Sequence, residues 1–304
     1  MEKGISYMGI AIKGVSKSVD GLLVLNDIDL HFKGKTIYGL LGQNDSGKTT
    51  LMRLMTQLRY PSEGVIEIDG VDIFDNPKVL EQLYYQSKDP IYGKRTKLDS
   101  IVKWMSEAYS TFQLDVCQQL MSKYHLSDTD RFGQLSLKKQ MLFRSCLAFS
   151  VDVDYLLLDE PVYTLDAYHR NELYEDLQAS YKRYPKTIIL STHVIDEIED
   201  MIEKVVMLED GQVLVEGSVK KLVATAFSVE GPEKDVREFL QGKRMLGQEY
   251  FDGKIKAYFL ESEPLVTEDL EISIEALNLQ NMFIQLTKDI YRKKEISNES
   301  KIID

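Results

Sequence analysis

Two patterns of apolar and polar residues alternate between residues 5 and 220 and predict a mixture of strands and helices. Residues 28–32, Ile-Asp-Leu-His-Phe, alternate in polarity, as a strand with one solvated face does. Residues 36–41 and 155–158 are continuous apolar runs, typical of parallel strands buried on both faces. The pattern therefore predicts an α/β fold with a mostly parallel sheet and ligands at the carboxyl ends of its strands. Helices are expected at residues 50–57, 166–184 and 194–201.

The stretch from residue 87 to residue 150 departs from this alternation. It opens with a polar loop that contains Pro90 and Gly93, and no strand pattern follows. Apolar residues then recur at helical spacing in three segments, residues 98–109, 113–125 and 137–149. We therefore predict a helical subdomain inserted into the α/β domain.

From about residue 223 the pattern changes again, and we expect a second, smaller α+β domain. The first domain then spans residues 1–222 and the second residues 223–304, with a disordered tail after Arg292. The order of elements in the second domain is expected to be βαββα, with a hairpin that turns at Asp252-Gly253. The segments are a strand at 225–230, a helix at 233–240, strands at 245–251 and 255–260, and a helix at 270–289.

Composition limits the classes of partner. The formal charge is −12, which disfavours nucleic acid as the main partner. No apolar run is long enough to span a membrane, and the first residues lack the apolar segment of a signal peptide. Cys117 and Cys146 are far apart and lack metal-ligand spacing, so we expect buried, reduced thiols in a cytoplasmic protein.

The most specific chemical signal is the stretch Gly42–Thr49, Gly-Gln-Asn-Asp-Ser-Gly-Lys-Thr, between a strand and a helix. Backbone N–H groups of such a loop cradle phosphate oxygens, and the following helix adds the positive end of its dipole. Lys48 is long enough to reach the β- and γ-phosphates, and the Thr49 hydroxyl can ligate Mg²⁺. We predict that the nucleotide is held by Gly42, Asn44, Asp45, Ser46, Gly47, Lys48, Thr49 and Thr50.

A second signal follows the buried run at residues 155–158, where Asp159 and Glu160 stand side by side. An acid at the end of such a strand can hold Mg²⁺, directly or through water. Its neighbour can take a proton from an attacking water. His193, at the end of the next predicted strand, can contact the γ-phosphate. We therefore assign Asp159 to the metal, and Glu160 and His193 to catalysis.

With these motifs in order, the chain resembles the nucleotide-binding subunit of an ATP-binding cassette (ABC) transporter over about residues 5–220. Gln86 falls at the Q-loop glutamine, Ser136 at the signature serine and residues 163–166 at the D-loop. The resemblance implies a P-loop NTPase cassette with an antiparallel β subdomain, with ATP and Mg²⁺ as its ligands. It also implies that Gln86 serves both the metal and catalysis.

The resemblance further implies a dimer of cassettes and a location on the inner face of the cell membrane. Ser136 would act on the ATP of the second cassette, and a separate transmembrane permease would be the third partner. Gln86 and the helical insertion would transmit closure to that permease. Ile91, Tyr92 and Leu98 are then either surface contacts or internal packing residues. The C-terminal domain resembles the appended domain of drug, peptide and bacteriocin exporters.

The chain departs from the family pattern at three places. Residues 135–139 read Leu-Ser-Leu-Lys-Lys, so both glycines of the usual Leu-Ser-Gly-Gly-Gln are missing. Lys138 and Lys139 either supply positive charge instead or are merely solvated. Val19 replaces the usual adenine-stacking aromatic, a loss that only Tyr7 or Tyr38 could offset. Asp45 stands where the family usually has glycine, and we expect its carboxylate to point outward because aspartate tolerates a left-handed backbone.

These observations favour an ATPase subunit that powers export of a peptide or an amphipathic toxic compound. Because a signature serves the nucleotide of the other subunit, its alteration favours a heterodimer over a homodimer. Two alternatives remain open from the residues alone. One is an ATP-binding regulatory subunit with little hydrolysis, and the other is a cassette ATPase that acts outside transport.

Overall fold

The computed structural model describes residues 8–288 except 90, 263–264 and 266–269. The chain divides into two compact units between Val215 and Glu216. This division lies slightly before the domain boundary expected after residue 222. The tail expected to be disordered after Arg292 lies outside the described residues.

The first unit contains both strands and α-helices. Its strands are β1 (Gly9–Val19), β2 (Leu22–Lys33), β3 (Ile37–Leu41), β4 (Glu63–Ile68), β5 (Val71–Asp72), β6 (Leu83–Gln86), β7 (Tyr155–Asp159), β8 (Thr187–Thr192) and β9 (Lys204–Glu209), with β10 (Gln212–Ser218) crossing the division. Its α-helices are α1 (Lys48–Met55), α2 (Pro77–Leu80), α3 (Leu98–Ala108), α4 (Leu114–Lys123), α5 (Leu137–Phe149) and α6 (Ala167–Arg183).

Two sheets of the first unit confirm the predicted α/β class. A six-stranded sheet has the order β10-β9-β3-β8-β7-β6, and its pairs from β9 to β6 are parallel. A four-stranded sheet, β2-β1-β4-β5, is antiparallel. Strands β3, β7 and β8 are buried along their whole length, as their continuous apolar runs predict. The three helices predicted in the insertion are α3, α4 and α5.

One hydrophobic core joins the two sheets. It contains Ile10 and Phe32 from the antiparallel sheet, Leu40 and Leu157 from the parallel sheet, and Leu51 from α1. All five side chains are fully buried. Burial on this scale is the main force that stabilises a domain. It also fixes the end of β3, and therefore the loop that follows it, against the rest of the unit.

Residues 194–201 correct one prediction, because they form a series of turns rather than a helix. The backbone N–H groups of Ile198 and Met201 bond three residues back, to the carbonyls of Ile195 and Ile198. Four acidic residues lie in this short segment, and their mutual repulsion disfavours a regular helix.

The second unit forms an antiparallel sheet of order β12-β13-β11-β14. Its helices precede, separate or follow these strands along the chain. Part of the helix expected at residues 270–289 is instead the edge strand β14. The strand pairs with β11, so residues 273–276 gain a partner that their sequence pattern does not reveal. The elements are α7 (Val219–Thr225), β11 (Ala226–Pro232), α8 (Glu233–Phe239), β12 (Arg244–Phe251), β13 (Lys254–Leu260), β14 (Ser273–Ala276) and α9 at residues 279–288.

Both cysteines are free and buried, as the sequence predicts. Burial raises the pKa of the Cys117 thiol to about 12, and it also raises the pKa of Cys146. No helix among the described residues combines the length and apolar character needed to cross a membrane.

Candidate nucleotide site

The loop at residues 42–47 is held in a shape that requires glycine at both ends. A Cβ on Gly42 would lie 2.3 Å from the Leu208 carbonyl oxygen. A Cβ on Gly47 would lie 2.6 Å from Leu25, and the φ of Gly47 is 105°. Because Gly47 is the N-cap of α1, the loop leads directly into the first turn of that helix.

Lys48 begins α1, and its ammonium folds back onto the loop. Its Nζ donates to the carbonyl oxygens of Gly42 and Gln43, both at 2.7 Å. Burial lowers the pKa of Lys48, and the carboxylates of Glu160 and Asp159 oppose that change. The charge is thus already placed over the loop, where phosphate oxygens can replace the two carbonyl acceptors.

A cavity of about 510 Å³ opens over this loop. Its polar lining carries both signs of charge, and its dimensions suit a nucleotide. The predicted loop residues share it with others that the sequence did not single out. It is lined by Val24, Asn44, Asp45, Gly47, Lys48, Thr49, Thr50, Lys88 and Glu160.

Thr49 and Asp159 meet at the edge of the parallel sheet. The Thr49 hydroxyl lies 3.1 and 2.9 Å from the two carboxylate oxygens of Asp159, which is fully buried. A hydroxyl and a carboxylate are the hard oxygen ligands that Mg²⁺ prefers beside nucleotide phosphates. These two residues therefore fit the predicted magnesium site.

Two further hydroxyls donate to the same carboxylate. Ser191 bonds Oδ1 of Asp159 at 2.8 Å, and Tyr85 bonds Oδ2 at 3.1 Å. Ser191 also accepts the backbone N–H of Glu160 at 3.0 Å, so one hydroxyl links the two neighbouring acids. Burial next to Asp159 raises the pKa of the Tyr85 phenol, which keeps its proton.

Glu160 and His193 form a pair at the ends of adjacent strands. Oε2 of the nearly buried Glu160 lies 2.9 Å from Nδ1 of the half-exposed His193. The φ of Glu160 is 49°, an unusual conformation for a residue with a side chain. Backbone strain of this kind costs on the order of 1–3 kcal/mol and is concentrated at functional sites. The structure thus brings together Lys48, Thr49, Asp159, Glu160 and His193.

Gln86 points to a different neighbour. Its amide nitrogen contacts Met141 Sδ at 3.4 Å and Ser145 Oγ at 3.3 Å, both on α5. The buried Arg144 of the same helix donates to the carbonyls of residues 87, 88 and 89 at 2.6 to 3.2 Å. Helix α5 therefore holds this loop, and in this conformation the Gln86 amide is engaged away from Asp159.

The altered signature lies at the start of α5, outside the cavity of its own chain. Ser136 is exposed and caps the helix by accepting the Lys139 N–H at 3.3 Å. Lys138 pairs with Asp166 at 3.4 Å. The Lys139 ammonium donates to the carbonyl of His125 at 2.9 Å. Both lysines therefore have partners within the chain.

Tyr38 does not offset the missing aromatic at Val19. Its side chain is fully buried, packs edge-on against Phe32, and accepts the Lys33 N–H at 2.7 Å. Tyr7, the other candidate, lies outside the described residues.

An apolar groove of about 660 Å³ borders the segment that follows Gln86. Ile91 and Trp104 stand at its rim with 71% and 52% of their surface exposed. Leu98, in contrast, is fully buried, and Tyr92 packs on Phe132. Ile91, Tyr92 and Leu98 were each expected to be either a surface contact or an internal packing residue. The structure shows that Ile91 is a surface residue and Leu98 a packing residue.

Sequence reasoning missed Ser191, Tyr85 and Lys88. Ser191 lies next to the last residue of β8, opposite Asp159 in the parallel register, so adjacency of the strand ends was the available signal. Tyr85 precedes Gln86 directly and faces the other side of β6. Lys88 lines the cavity and lies 4.8 Å from the centre of the Tyr163 ring. Nothing in its sequence context marks it.

Comparison with known proteins places these features in a family. Residues 25–163 match the family model described as ABC transporter. The chain is 33% identical over 204 residues to the ABC transporter ATP-binding protein YtrB of Bacillus subtilis, which covers 66% of this chain and 69% of YtrB. It is 25% identical to the Nod factor export ATP-binding protein I of Burkholderia orbicola, over 93% of this chain and 98% of that protein.

Solved structures show the same fold. The ATP-binding subunit of an ABC transporter superposes with a TM-score of 0.65 at 22% identity, covering 71% of this chain and 92% of that subunit. A nucleotide-free ATP-binding cassette superposes with a TM-score of 0.58 at 16% identity, covering 69% of this chain and 91% of that cassette.

Proposed function

The chain belongs to the family of ABC transporter ATP-binding proteins, and from this premise we propose that it hydrolyses ATP to power export. The export passes through a separate membrane subunit, and the cargo is a peptide or an amphipathic toxic compound. One observation carries the hydrolytic activity: the Glu160–His193 pair at 2.9 Å, beside the cavity that holds Lys48.

Glu160 is placed to act as the general base. It takes a proton from the attacking water while the water oxygen bonds to the γ-phosphorus and the bond to the bridging oxygen breaks, which releases ADP and phosphate. His193 orients the carboxylate through Nδ1 and lies half-exposed, where it can contact the γ-phosphate. Lys48 exchanges its carbonyl partners for phosphate oxygens and neutralises the charge that develops there.

Thr49 and Asp159 would hold Mg²⁺, which would neutralise phosphate charge when bound. The protein itself supplies the hydroxyl of Thr49 and the buried carboxylate of Asp159 as neighbouring oxygen ligands. The Thr49 hydroxyl oxygen lies 2.9 to 3.1 Å from the carboxylate oxygens of Asp159, so both groups could reach one cation.

Two cassettes are needed for a complete site in this proposal. Ser136 is exposed at the start of α5 and does not line the cavity of its own chain, which supports action on a partner's nucleotide. Because residues 137–139 lack both glycines, a partner with an intact signature would complete the site built by Lys48, Asp159 and Glu160. We therefore favour a heterodimer of two cassette subunits.

The location that we propose is the inner face of the cell membrane, bound to the membrane subunit. ABC ATP-binding subunits work with separate transmembrane subunits and form dimers. The apolar groove beside Ile91 and Trp104 offers a surface for that subunit, since exposed apolar patches mark interaction sites. Export is supported by the relative from Burkholderia orbicola, whose name includes Nod factor export.

The test compares the unaltered protein with Glu160→Gln in a phosphate-release assay, each with its membrane subunit. Loss of the base should lower the hydrolysis rate about 100-fold or more, because general-base catalysis contributes roughly 10²–10⁴. ATP binding should stay within about threefold, since the amide is isosteric and the loop is untouched.

Equal hydrolysis rates for the two proteins would contradict the enzymatic function. ATP binding without measurable turnover in either protein would instead support the regulatory alternative. Glu216→Gln, which changes an exposed acid outside the cavity, is the matched control and should leave both quantities unchanged.

A further inference from the structure

The neighbouring side chains of Tyr85 and Gln86 lie on opposite sides of strand β6. Tyr85 is the one that contacts Asp159, the carboxylate assigned to Mg²⁺. Its hydroxyl donates to Oδ2 of Asp159 at 3.1 Å. The next residue, Gln86, points the other way and contacts α5. Resting on the proposed function, we propose that Tyr85 is a positioning residue that orients Asp159 for Mg²⁺.

The hydrogen bonds of Asp159 show why a further donor matters. Oδ1 accepts from Ser191 and Thr49, and Oδ2 accepts from Thr49 and Tyr85. Without the Thr49 hydroxyl, which would serve the cation, each oxygen would still have one donor, Ser191 on Oδ1 and Tyr85 on Oδ2. Two donors on opposite oxygens fix the rotation of the carboxylate plane, as partners of metal ligands commonly do.

The position of Tyr85 is fixed independently of the bond it makes. Residues 83–86 pair in parallel with residues 155–158, which aligns Tyr85 with Leu157, two residues before Asp159. The body of the ring packs against the hydrophobic core between the sheets. The phenol oxygen therefore extends along the sheet edge from an anchored ring, and phenylalanine would keep the packing while removing only the donor.

Gln86 is less well placed for the same task in this conformation. To approach Asp159, its amide must leave Met141 and Ser145, and it is nearly fully buried among them. The three carbonyls held by Arg144 restrict the segment that would have to move. In this conformation the side chain of β6 that contacts Asp159 is therefore Tyr85 and not Gln86.

The experiment measures Mn²⁺ affinity of the ATP-bound full-length protein by electron paramagnetic resonance, together with ATP affinity in EDTA. Tyr85→Phe should weaken Mn²⁺ binding about tenfold, within the 10- to 100-fold range typical of lost metal-ligand partners. ATP affinity in EDTA should remain unchanged, because the loop and Lys48 are untouched. Tyr84→Phe, which removes the neighbouring phenol that faces Tyr92, is the matched control.

Each result either supports or contradicts the positioning role of Tyr85. Mn²⁺ affinity equal to that of the unaltered protein, or an equal loss of ATP affinity in EDTA, would overturn the role of Tyr85. A fall in Mn²⁺ affinity with Gln86→Ala and none with Tyr85→Phe would also overturn it. If the unaltered protein bound no metal–ATP complex, the proposed function would fail and this inference with it, so the two failures are distinguishable.

Discussion

At the scale of single residues, Asp45 shows how a departure from the family pattern is accommodated. Its φ is 65°, in the left-handed region, and the residue is exposed. Aspartate adopts this conformation more readily than most residues with a side chain. The loop consequently keeps its shape without glycine at this position. The outward direction of the carboxylate remains our prediction.

Asp45→Gly should leave ATP affinity within about threefold, because the backbone conformation suits both residues and an outward carboxylate contributes only a screened charge. Titration with a fluorescent ATP analogue at physiological ionic strength measures this. ATP binding that becomes more than about tenfold tighter would show that the carboxylate repels the phosphates. Asp252→Gly changes an aspartate of similar φ, 46°, in the hairpin of the second unit and is the control.

The hydroxyls of Ser191 and Tyr85, near the ends of their strands, are the site groups that could not be identified from the sequence. Asp159, Glu160 and Lys48 can be identified from the sequence, because a charged residue at the end of a buried strand or in a glycine-bounded loop commonly has a functional role. Ser191 and Tyr85 carry no such mark, and serine or tyrosine at the end of a strand is common. Their roles follow only from the register that places β6 and β8 on either side of β7.

At the scale of elements, the link from α6 to β8 contains a buried charge. Lys186 is fully buried, with Nζ 3.0 Å from the Val151 carbonyl and 3.7 Å from Asp152. Burial lowers its pKa from 10.5 to about 8, while Asp152 partly opposes that change. A lysine whose folded-state pKa is lowered destabilises the fold while both states are protonated, and that cost disappears as the pH rises from about 8 towards 10.5.

Replacing Lys186 with methionine should therefore stabilise the protein more at pH 7 than at pH 10. The difference between the unfolding free energies of the two proteins should change by about 2–3 kcal/mol over that range. Urea unfolding at both pH values measures it. A difference independent of pH would contradict the lowered pKa. Lys182→Met, at an exposed position near the end of α6, is the control.

Prediction of strands and helices from the sequence succeeded where burial is one-sided or complete. It failed where repulsion between acidic side chains or pairing with a distant strand decides the structure. The runs in β3, β7 and β8, and the periodic segments in α3, α4 and α5, are where they were expected. Residues 194–201 are turns, although apolar residues recur there at helical spacing. Residues 273–276 become a strand because β11 offers an edge.

At the scale of the whole molecule, the altered signature predicts dependence on a second, different cassette. Purified with its membrane subunit alone, the protein should hydrolyse ATP at least about tenfold more slowly than with a partner cassette that carries Leu-Ser-Gly-Gly-Gln. The reason is that the side chains of Leu137 and Lys138, where the family has glycines, hinder the close approach of backbone to phosphate. Phosphate release from the two assemblies measures the difference.

Robust turnover without the partner cassette would contradict the heterodimer, provided that Glu160→Gln abolishes it. Restoring the glycines in this chain, with Leu137→Gly and Lys138→Gly, supplies the matched variant. In an assembly of identical subunits, that variant should recover activity if the missing glycines are the cause. Lys138→Gly also removes the ion pair with Asp166, so Lys138→Ala is its control.

The sequence by itself determined the α/β class, the phosphate-binding loop and the acids that follow a buried strand. Each of these depends on local spacing or on the burial of a continuous run, and both are written along the chain. Only the tertiary structure decided which side chains surround Asp159, where the Gln86 amide points, and that Lys138 pairs with Asp166. Those contacts join residues far apart in sequence. They depend on the register and packing of whole elements, which no local pattern specifies.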